Sequence, residues 1–195
     1  MSAKPSALYF TADPDANKLL AKEPLAALIG MLLDQQVTME SAFIAPYRLK
    51  ARLGGSLDAV EIATMAAADL EAAFKEKPAL HRFPGSMASR TLDLCAHIVE
   101  RHAGRAENIW KKAKTADELF ANLKALPGFG EAKARIFVGV LGKRLGVSVP
   151  GWEKIAADWA SIADVDSFAR IAGIRQAKLE AKQLLKSQAQ SAARS

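Results

Sequence analysis

One stretch of the sequence combines residue types that favour a tight turn between two helices. In "LPGFGEAKAR", which spans Leu126–Arg135, a proline and two glycines separate segments of helical periodicity. Pro127 disfavours a helix interior, whereas Gly128 and Gly130 can adopt the positive φ angles that sharp turns need. Phe129 is the apolar residue of the turn, and we expect it to pack inward and hold the two helices together.

The start of the second predicted helix has the chemistry of a phosphate site. Its first backbone N–H groups have no acceptor within the helix, and they lie at the positive end of the helix dipole. Lys133 and Arg135 add positive charge nearby. An ordinary tight corner between two helices is the alternative interpretation. The amides expected to contribute are those of Gly130, Glu131 and Ala132.

The elements that must position this turn are helices along the whole chain. Alanine, leucine and lysine dominate, and apolar residues recur at helical spacing, so the predicted fold class is all-α. Residues 187–195 lack an apolar stripe and are predicted to form a disordered tail. Three of the longer predicted helices run from about Pro24 to Glu40, from there to about Leu53, and from about Ser86 to His102.

Composition narrows the class of protein. The chain has 195 residues, 50% hydrophobic and 25% charged, which suits one domain or two small lobes that share a core. The net charge of +6 fits a protein that binds a polyanion. Because Cys95 is the single cysteine, disulfides within one chain and a four-cysteine iron–sulfur cluster are excluded, and a reducing cytoplasm is expected. No segment approaches the roughly 20 apolar residues of a membrane span.

The turn resembles the helix-hairpin-helix motif, whose usual form is Leu-Pro-Gly-apolar-Gly followed by a helix with alanine at a set spacing. The match covers Leu126–Gly130 and Ala134. This resemblance implies contacts to a phosphate backbone that do not read the base sequence. It also implies a monovalent cation held by loop carbonyls, for which Leu126 and Phe129 are the candidates.

Two further stretches extend the resemblance. "LLDQQVTMESA" is similar to the helix that carries a glutamine near the lesion in DNA glycosylases of the helix-hairpin-helix type, with Asp34 where those enzymes have glycine. "FPGSMASRTLDLCAHIVERHAG" resembles their turn followed by a helix. We therefore identify a resemblance to the helix-hairpin-helix (HhH-GPD type) base-excision glycosylase superfamily. It implies that Gln36, next to Gln35, enters the duplex where a base is displaced; a solvated helix end is the alternative.

The family's fold implies two helical lobes with DNA and a flipped base between them. In this chain the hairpin lobe would span about 41–149, and the other lobe about 1–40 and 150–186. The implied partner is double-stranded DNA. We expect a monomer without membrane association, located in the cytoplasm of a bacterial-type cell at the nucleoid, with no required cofactor.

The chain departs from the family at the catalytic residues. The sugar-stabilising Asp of the family falls on Pro150 or Trp152, and Glu153 is the nearest acid along the chain. Asp34 is the alternative, although a structural or capping role is the favoured interpretation of this residue. The Schiff-base lysine of bifunctional members falls on Ala132, so strand cleavage is not expected.

These observations predict a monofunctional DNA N-glycosylase that uses water as the nucleophile. Two alternatives stay open. The chain could be a DNA-binding protein that kept the fold without catalysis, as the missing Asp suggests, or an all-α interaction module unrelated to DNA.

Overall fold

The computed structural model describes residues 8–147 and 149–192, and within these ranges the regular elements are helices, with no strand. The all-α prediction is confirmed. No helix in the described part of the chain is both long and apolar enough to cross a bilayer. The helices are α1 Pro14–Lys22, α2 Pro24–Leu33, α3 Met39–Arg52, α4 Ala59–Thr64, α5 Ala67–Lys75, α6 Pro84–His102, α7 Asn108–Lys111, α8 Ala116–Lys124, α9 Glu131–Arg144, α10 Trp152–Ile155 and α11 Arg170–Ala192, with a 3₁₀ helix at Ile162–Asp164.

Helix α2 is the buried centre of the first part of the chain. Every residue from Leu25 to Leu33 is buried, because this segment is apolar on all sides. Pro24 begins the helix, where its missing N–H costs nothing. Helix α2 packs against α1, α3 and α6, and the chain becomes polar only at Asp34. The end of α2 is therefore the point where the core opens toward solvent.

The predicted continuous helix from Pro24 to Glu40 was wrong. Helix α2 ends at Leu33, and residues 34–38 form a turn before α3. Gln36 adopts φ 56°, which no helix tolerates. The hydroxyl of Thr38 accepts a hydrogen bond from the amide of Ser41 at 3.2 Å and caps the new helix. The hydrogen bond between the Thr38 side chain and the backbone is thus favoured here over continuation of helix α2.

Helices α4 and α5 pack against the long helix α6. Helix α6 begins at Pro84, two residues earlier than predicted. On this helix Leu94 and Ile98 are fully buried, whereas Ala96 is exposed.

Helices α8 and α9 pack together across the 125–130 turn, and the chain then returns along α9. The amide of Ala157 donates to the carbonyl of Arg135 at 3.2 Å, and Gly139 leaves room for the methyl group of Ala163. Helix α11 follows and extends to Ala192. The tail predicted at 187–195 therefore lies partly on this helix and partly outside the described residues.

Candidate nucleic-acid interface

The 125–130 turn is seated against the C-terminal end of α2. Gly128 has φ 79°, and a Cβ at this position would lie 2.3 Å from Cδ1 of Leu32. Phe129 packs inward as expected, with only 5% of its surface exposed and its ring 6.2 Å from that of Phe137. The amide of Phe129 donates to the carbonyl of Leu126 at 2.9 Å and closes the turn. Glycine at 128 is therefore required both by the backbone angle and by the close approach of α2.

The outer side of the turn is accessible. Gly130 caps α9 with φ −86°, and no other part of the chain lies within 4 Å of where its Cβ would stand. No side chain caps the helix start, and Glu131 and Ala132 are exposed. The carboxylate of Glu131 lies 3.8 Å from the ammonium of Lys124. The first amides of α9 are thus free of a capping side chain and face solvent, as an anion site requires.

Lys133 fastens α9 to α2. Its Nζ donates a hydrogen bond of 2.6 Å to the carbonyl oxygen of Leu32, one of the last carbonyls of α2. Burial lowers the pKa of Lys133 to about 8, while the negative charge of Asp34 raises it and the positive charge of Arg90 lowers it further. The amine therefore interacts favourably with the negative end of the α2 dipole instead of extending into solvent.

The end of α2 at Leu32, the 125–130 turn and the start of α9 meet in one place, which we call the junction. Gln35 is held inside this junction by its neighbours. Its Nε2 donates to the carbonyl of Leu32 at 2.8 Å, and its Oε1 accepts from Nη1 of Arg90 at 3.0 Å. His81 Nδ1 accepts the amide of Phe83, so its Nε2 carries the proton and donates to the Gln35 carbonyl at 2.9 Å. The side chain of Gln35 is thus used to fix the 34–38 turn.

Gln36, in contrast, is presented to solvent. Its side chain is exposed, and its φ of 56° is a strained value for a residue other than glycine. Such strain persists only where surrounding contacts hold it, and it concentrates at functional sites. The contacts of Gln35 with His81 and Arg90 provide that support. The two glutamines, predicted together, therefore have separate places: Gln35 inside the junction and Gln36 outside it.

His81 and Arg90 also contribute to the junction through their contacts with Gln35, and the sequence did not predict either of them there. Arg90 meets Gln35 across 55 positions of the sequence, a distance at which no local pattern gives a signal. His81 is buried, with 4% exposed, and so it does not extend outward. Two exposed side chains stand beside His81: Phe83, with 43% of its surface accessible, and Arg82, whose guanidinium lies 4.8 Å from the Phe83 ring centroid.

The two predicted carboxylates are placed differently. Asp34 is close enough to Lys133 for its charge to act on the pKa of the amine. Glu153 is exposed on α10, where the ring of the adjacent Trp152 covers Gly142. Gly142 is eleven residues beyond Glu131, the first residue of α9, or about 16 Å along the helix axis. The structure therefore brings Asp34, and not Glu153, to the junction.

Arg135 lies on a different side of α9 from Lys133. Its guanidinium lies 5.4 Å from the ring centroid of Trp159, an exposed residue on the returning segment. Two positions along a helix correspond to a rotation of about 200°. Of the two basic residues predicted beside the turn, only Lys133 joins the junction with α2.

The described residues contain no group of three or more His, Cys, Asp or Glu side chains that could hold a metal ion. The carbonyl of Leu126 is already an acceptor for the Phe129 amide, although a carbonyl oxygen keeps a second lone pair. A monovalent cation at the Leu126 and Phe129 carbonyls stays a prediction.

Comparisons with models of protein families, with curated proteins and with solved structures found no match. Function must therefore be argued from the geometry of the junction.

Proposed function

We propose that this protein binds double-stranded DNA and removes a damaged or modified base as a monofunctional N-glycosylase. The observation that carries the proposal is the junction at Leu32. There the accessible start of α9 and the exposed, strained Gln36 are held in one unit, because Leu32 meets Gly128, Lys133 and Gln35. A phosphate site and a residue able to enter the duplex are thus fixed relative to each other.

Phosphate binding is assigned to the backbone at the start of α9. The amides of Gly130, Glu131 and Ala132 would hold one phosphate, and the positive end of a 14-residue helix adds to the attraction. Backbone amides do not distinguish bases, so the expected binding has little sequence preference and strong dependence on salt.

Gln36 is assigned to the space left by a displaced base. Base displacement costs a few kcal/mol, and a side chain that replaces the lost stacking and pairing offsets part of that cost. A side chain can do this only if its backbone is rigid, since a mobile loop would lose entropy on insertion. The hydrogen bonds that Gln35 makes to Leu32 and Arg90 supply this rigidity.

Hydrolysis of the glycosidic bond develops positive charge on the sugar, which a carboxylate in a shielded cleft stabilises. Of the two acids proposed from the sequence, Asp34 is the better placed, since it lies beside Lys133 at the junction. Lys133 is engaged with the Leu32 carbonyl and is not proposed as a nucleophile, so abasic products should remain uncut.

A non-catalytic DNA-binding protein is the second candidate function. The observation that favours it is the exposure of Glu153 at the far end of α9 from the turn. Without a carboxylate at the family's usual position, the same phosphate site and the same Gln36 would serve recognition of distorted duplexes alone.

The test is incubation of the full chain with a panel of duplexes, each with one damaged or modified base, followed by alkali to cut at abasic sites. Alkali-dependent cleavage of one lesion, lost or strongly reduced in Gln36→Ala, is the expected result. Lesion duplexes bound but never cleaved would favour the non-catalytic protein. Cleavage before alkali would contradict the monofunctional assignment, and no preference for duplex DNA would contradict both.

A further inference from the structure

A second carboxylate near the junction is held in an unusual way. Glu40 lies in the first turn of α3, and 21% of its side chain is exposed. Its Oε1 forms an ion pair with Nη2 of Arg175, a residue of α11 that is 135 positions away in the sequence. The ion pair joins the beginning of α3, just after the 34–38 turn, to the last helix.

The other oxygen of this carboxylate is unsatisfied. Glu40 Oε2 is buried and has no hydrogen-bond partner. Among the side chains that the structure describes, the one other buried polar atom in this condition is Nε of Arg135. Buried polar atoms are nearly always paired, and an unpaired charged one is costly, so each calls for an explanation. An oxygen kept without a partner retains the capacity to interact with a group that brings positive charge or a proton, once that group can reach it.

The position of Glu40 suits a ligand held at Gln36. The two residues are four positions apart, so their Cα atoms are separated by no more than about 15 Å. The sugar of a nucleotide displaced by Gln36 would lie within this range. Arg175 is half exposed, with 50% of its side chain accessible, and can move away at low cost. The carboxylate of Glu40 therefore resembles a cation site that is filled by the guanidinium of Arg175, a side chain of the same protein.

We propose that Glu40 is the carboxylate that stabilises the positively charged sugar, and that Arg175 takes the place of that charge in the free protein. The inference rests on the proposed glycosylase function and names its catalytic residue in preference to Asp34 and Glu153. The role of Asp34 is then to interact electrostatically with the Lys133 amine at the junction. On binding, the sugar displaces the Arg175 guanidinium and meets the carboxylate in a partly shielded place, where the attraction is stronger than in water.

The reaction balances without a cofactor. The bond between C1′ and the base nitrogen breaks, its electron pair leaves with the base, and the base takes a proton from solvent. The positive charge is shared by C1′ and the ring oxygen and faces Glu40. The oxygen of a water molecule then adds to C1′ and releases a proton to solvent.

The experiment measures charge preference by binding, so that it needs no cleavable lesion. Two duplexes differ at one nucleotide: one has a pyrrolidine, protonated at its nitrogen, in place of the sugar, and the other has a neutral tetrahydrofuran. Fluorescence anisotropy at fixed salt gives the ratio of their dissociation constants. We expect the unmodified protein to bind the pyrrolidine duplex about tenfold more tightly, as for other mimics of a charged transition state.

The two partners of the ion pair should change this ratio in opposite directions. Glu40→Gln should reduce it to within about twofold, whereas Arg175→Met should increase it because the internal competitor is removed. A merely structural ion pair would move both variants in the same direction. Glu23→Gln, which disrupts the ion pair with Lys50 elsewhere on the surface, is the matched control and should keep the original ratio.

Each outcome decides one question. Equal affinity of the unmodified protein for both duplexes, or a preference unchanged in Glu40→Gln, overturns the role of Glu40 and leaves the proposed function standing. Loss of the preference in Asp34→Asn but not in Glu40→Gln assigns the role to Asp34. Failure to bind either duplex overturns the proposed function itself. If thermal unfolding shows that Glu40→Gln is not folded, Arg175→Met decides, since an unchanged or lower ratio contradicts the proposal.

Discussion

Two Pro-Gly turns begin helices in this molecule, and they differ in what lies at the helix start. In the first, Pro84 and Gly85 after Phe83 are the first two residues of α6, and the second, Leu126–Gly130, directly precedes α9. In both turns no side chain caps the helix by a hydrogen bond. A Cβ at Gly85, however, would lie 2.8 Å from Oε1 of Glu71 on α5, whereas a Cβ at Gly130 would meet nothing within 4 Å.

The difference bears on where an anion could bind, because a helix start is accessible to a ligand only where no neighbouring carboxylate already meets it. The carboxylate of Glu71 already occupies the positive end of the α6 dipole, and the start of α9 faces solvent. The sequence pattern of the two turns is similar, so the distinction depends on a neighbour in space. Both helices still serve one junction: Arg90 of α6 contacts Gln35, and Lys133 of α9 contacts Leu32.

The largest expected effect concerns the contact between the second turn and the end of α2. Gly128→Ala should lower the free energy of unfolding by about 2–4 kcal/mol, the sum of left-handed backbone strain and the clash with Leu32. Gly130→Ala is the matched control, because its φ is ordinary and its surroundings are empty; it should cost less than about 1 kcal/mol. Urea denaturation of both variants makes the measurement, and equal losses would contradict the contact between the turn and α2.

The second effect concerns access to the start of α9. Gly130→Gln should weaken binding to all duplex sequences about equally, by about tenfold, because the side chain covers the amides without changing the net charge. Gly173→Gln, at another open glycine on α11, should leave the affinity unchanged. Anisotropy titrations with several unrelated duplexes make the comparison. An unchanged affinity of Gly130→Gln would remove this turn from the interface.

Local cues made part of this site predictable. Pro127 and the two glycines place a turn at 125–130, and Phe129 is predicted inside because it is the apolar residue of that turn. These features depend on neighbours in the sequence, where φ preference and apolar spacing act directly. The all-α class follows for the same reason.

The rest of the site depends on contacts between distant segments. The break after Leu33 was missed because apolar periodicity continues past it, and the competing bond of Thr38 is a single local contact. The contacts between Gln35 and Arg90 and between Glu40 and Arg175 join residues 55 and 135 positions apart. Tertiary packing decides these, and no spacing rule encodes them. The position of Glu153 likewise follows from how α10 docks on α9.

A third effect, smaller again, is the pH dependence caused by Lys133. Burial lowers its pKa from 10.5 to about 8 in the folded protein. Below pH 8 both states hold the proton, and the folded state carries the whole cost of the buried charge. Between pH 8 and 10.5 the unfolded state binds more protons, so the free energy of unfolding rises with pH, by less than about 1.4 kcal/mol per unit.

Lys133→Met should abolish this contribution. The difference in unfolding free energy between the unmodified protein and the variant should shift in favour of the unmodified protein as the pH rises from 8 to 10. Urea denaturation at several pH values measures it, and Lys124→Met, at an exposed lysine near the same turn, is the control. A difference that does not vary over this range would show that the Lys133 amine is not buried against α2.

The smallest effect tests the comparison of the two turns directly. Glu71→Gln removes the charge at the start of α6 and should raise the affinity for duplex DNA by about twofold, because the positive end of the α6 dipole is then no longer neutralised by a carboxylate of the protein itself. Glu71 also pairs with Lys75 one turn along α5, but exposed pairs of this kind contribute only about 0.3–0.5 kcal/mol, so the fold should be kept. Glu100→Gln, near the other end of α6, makes the same change in net charge and should have less effect. Anisotropy at low salt gives both values, and equal gains in the two variants would mean that overall charge, and not the start of α6, is responsible.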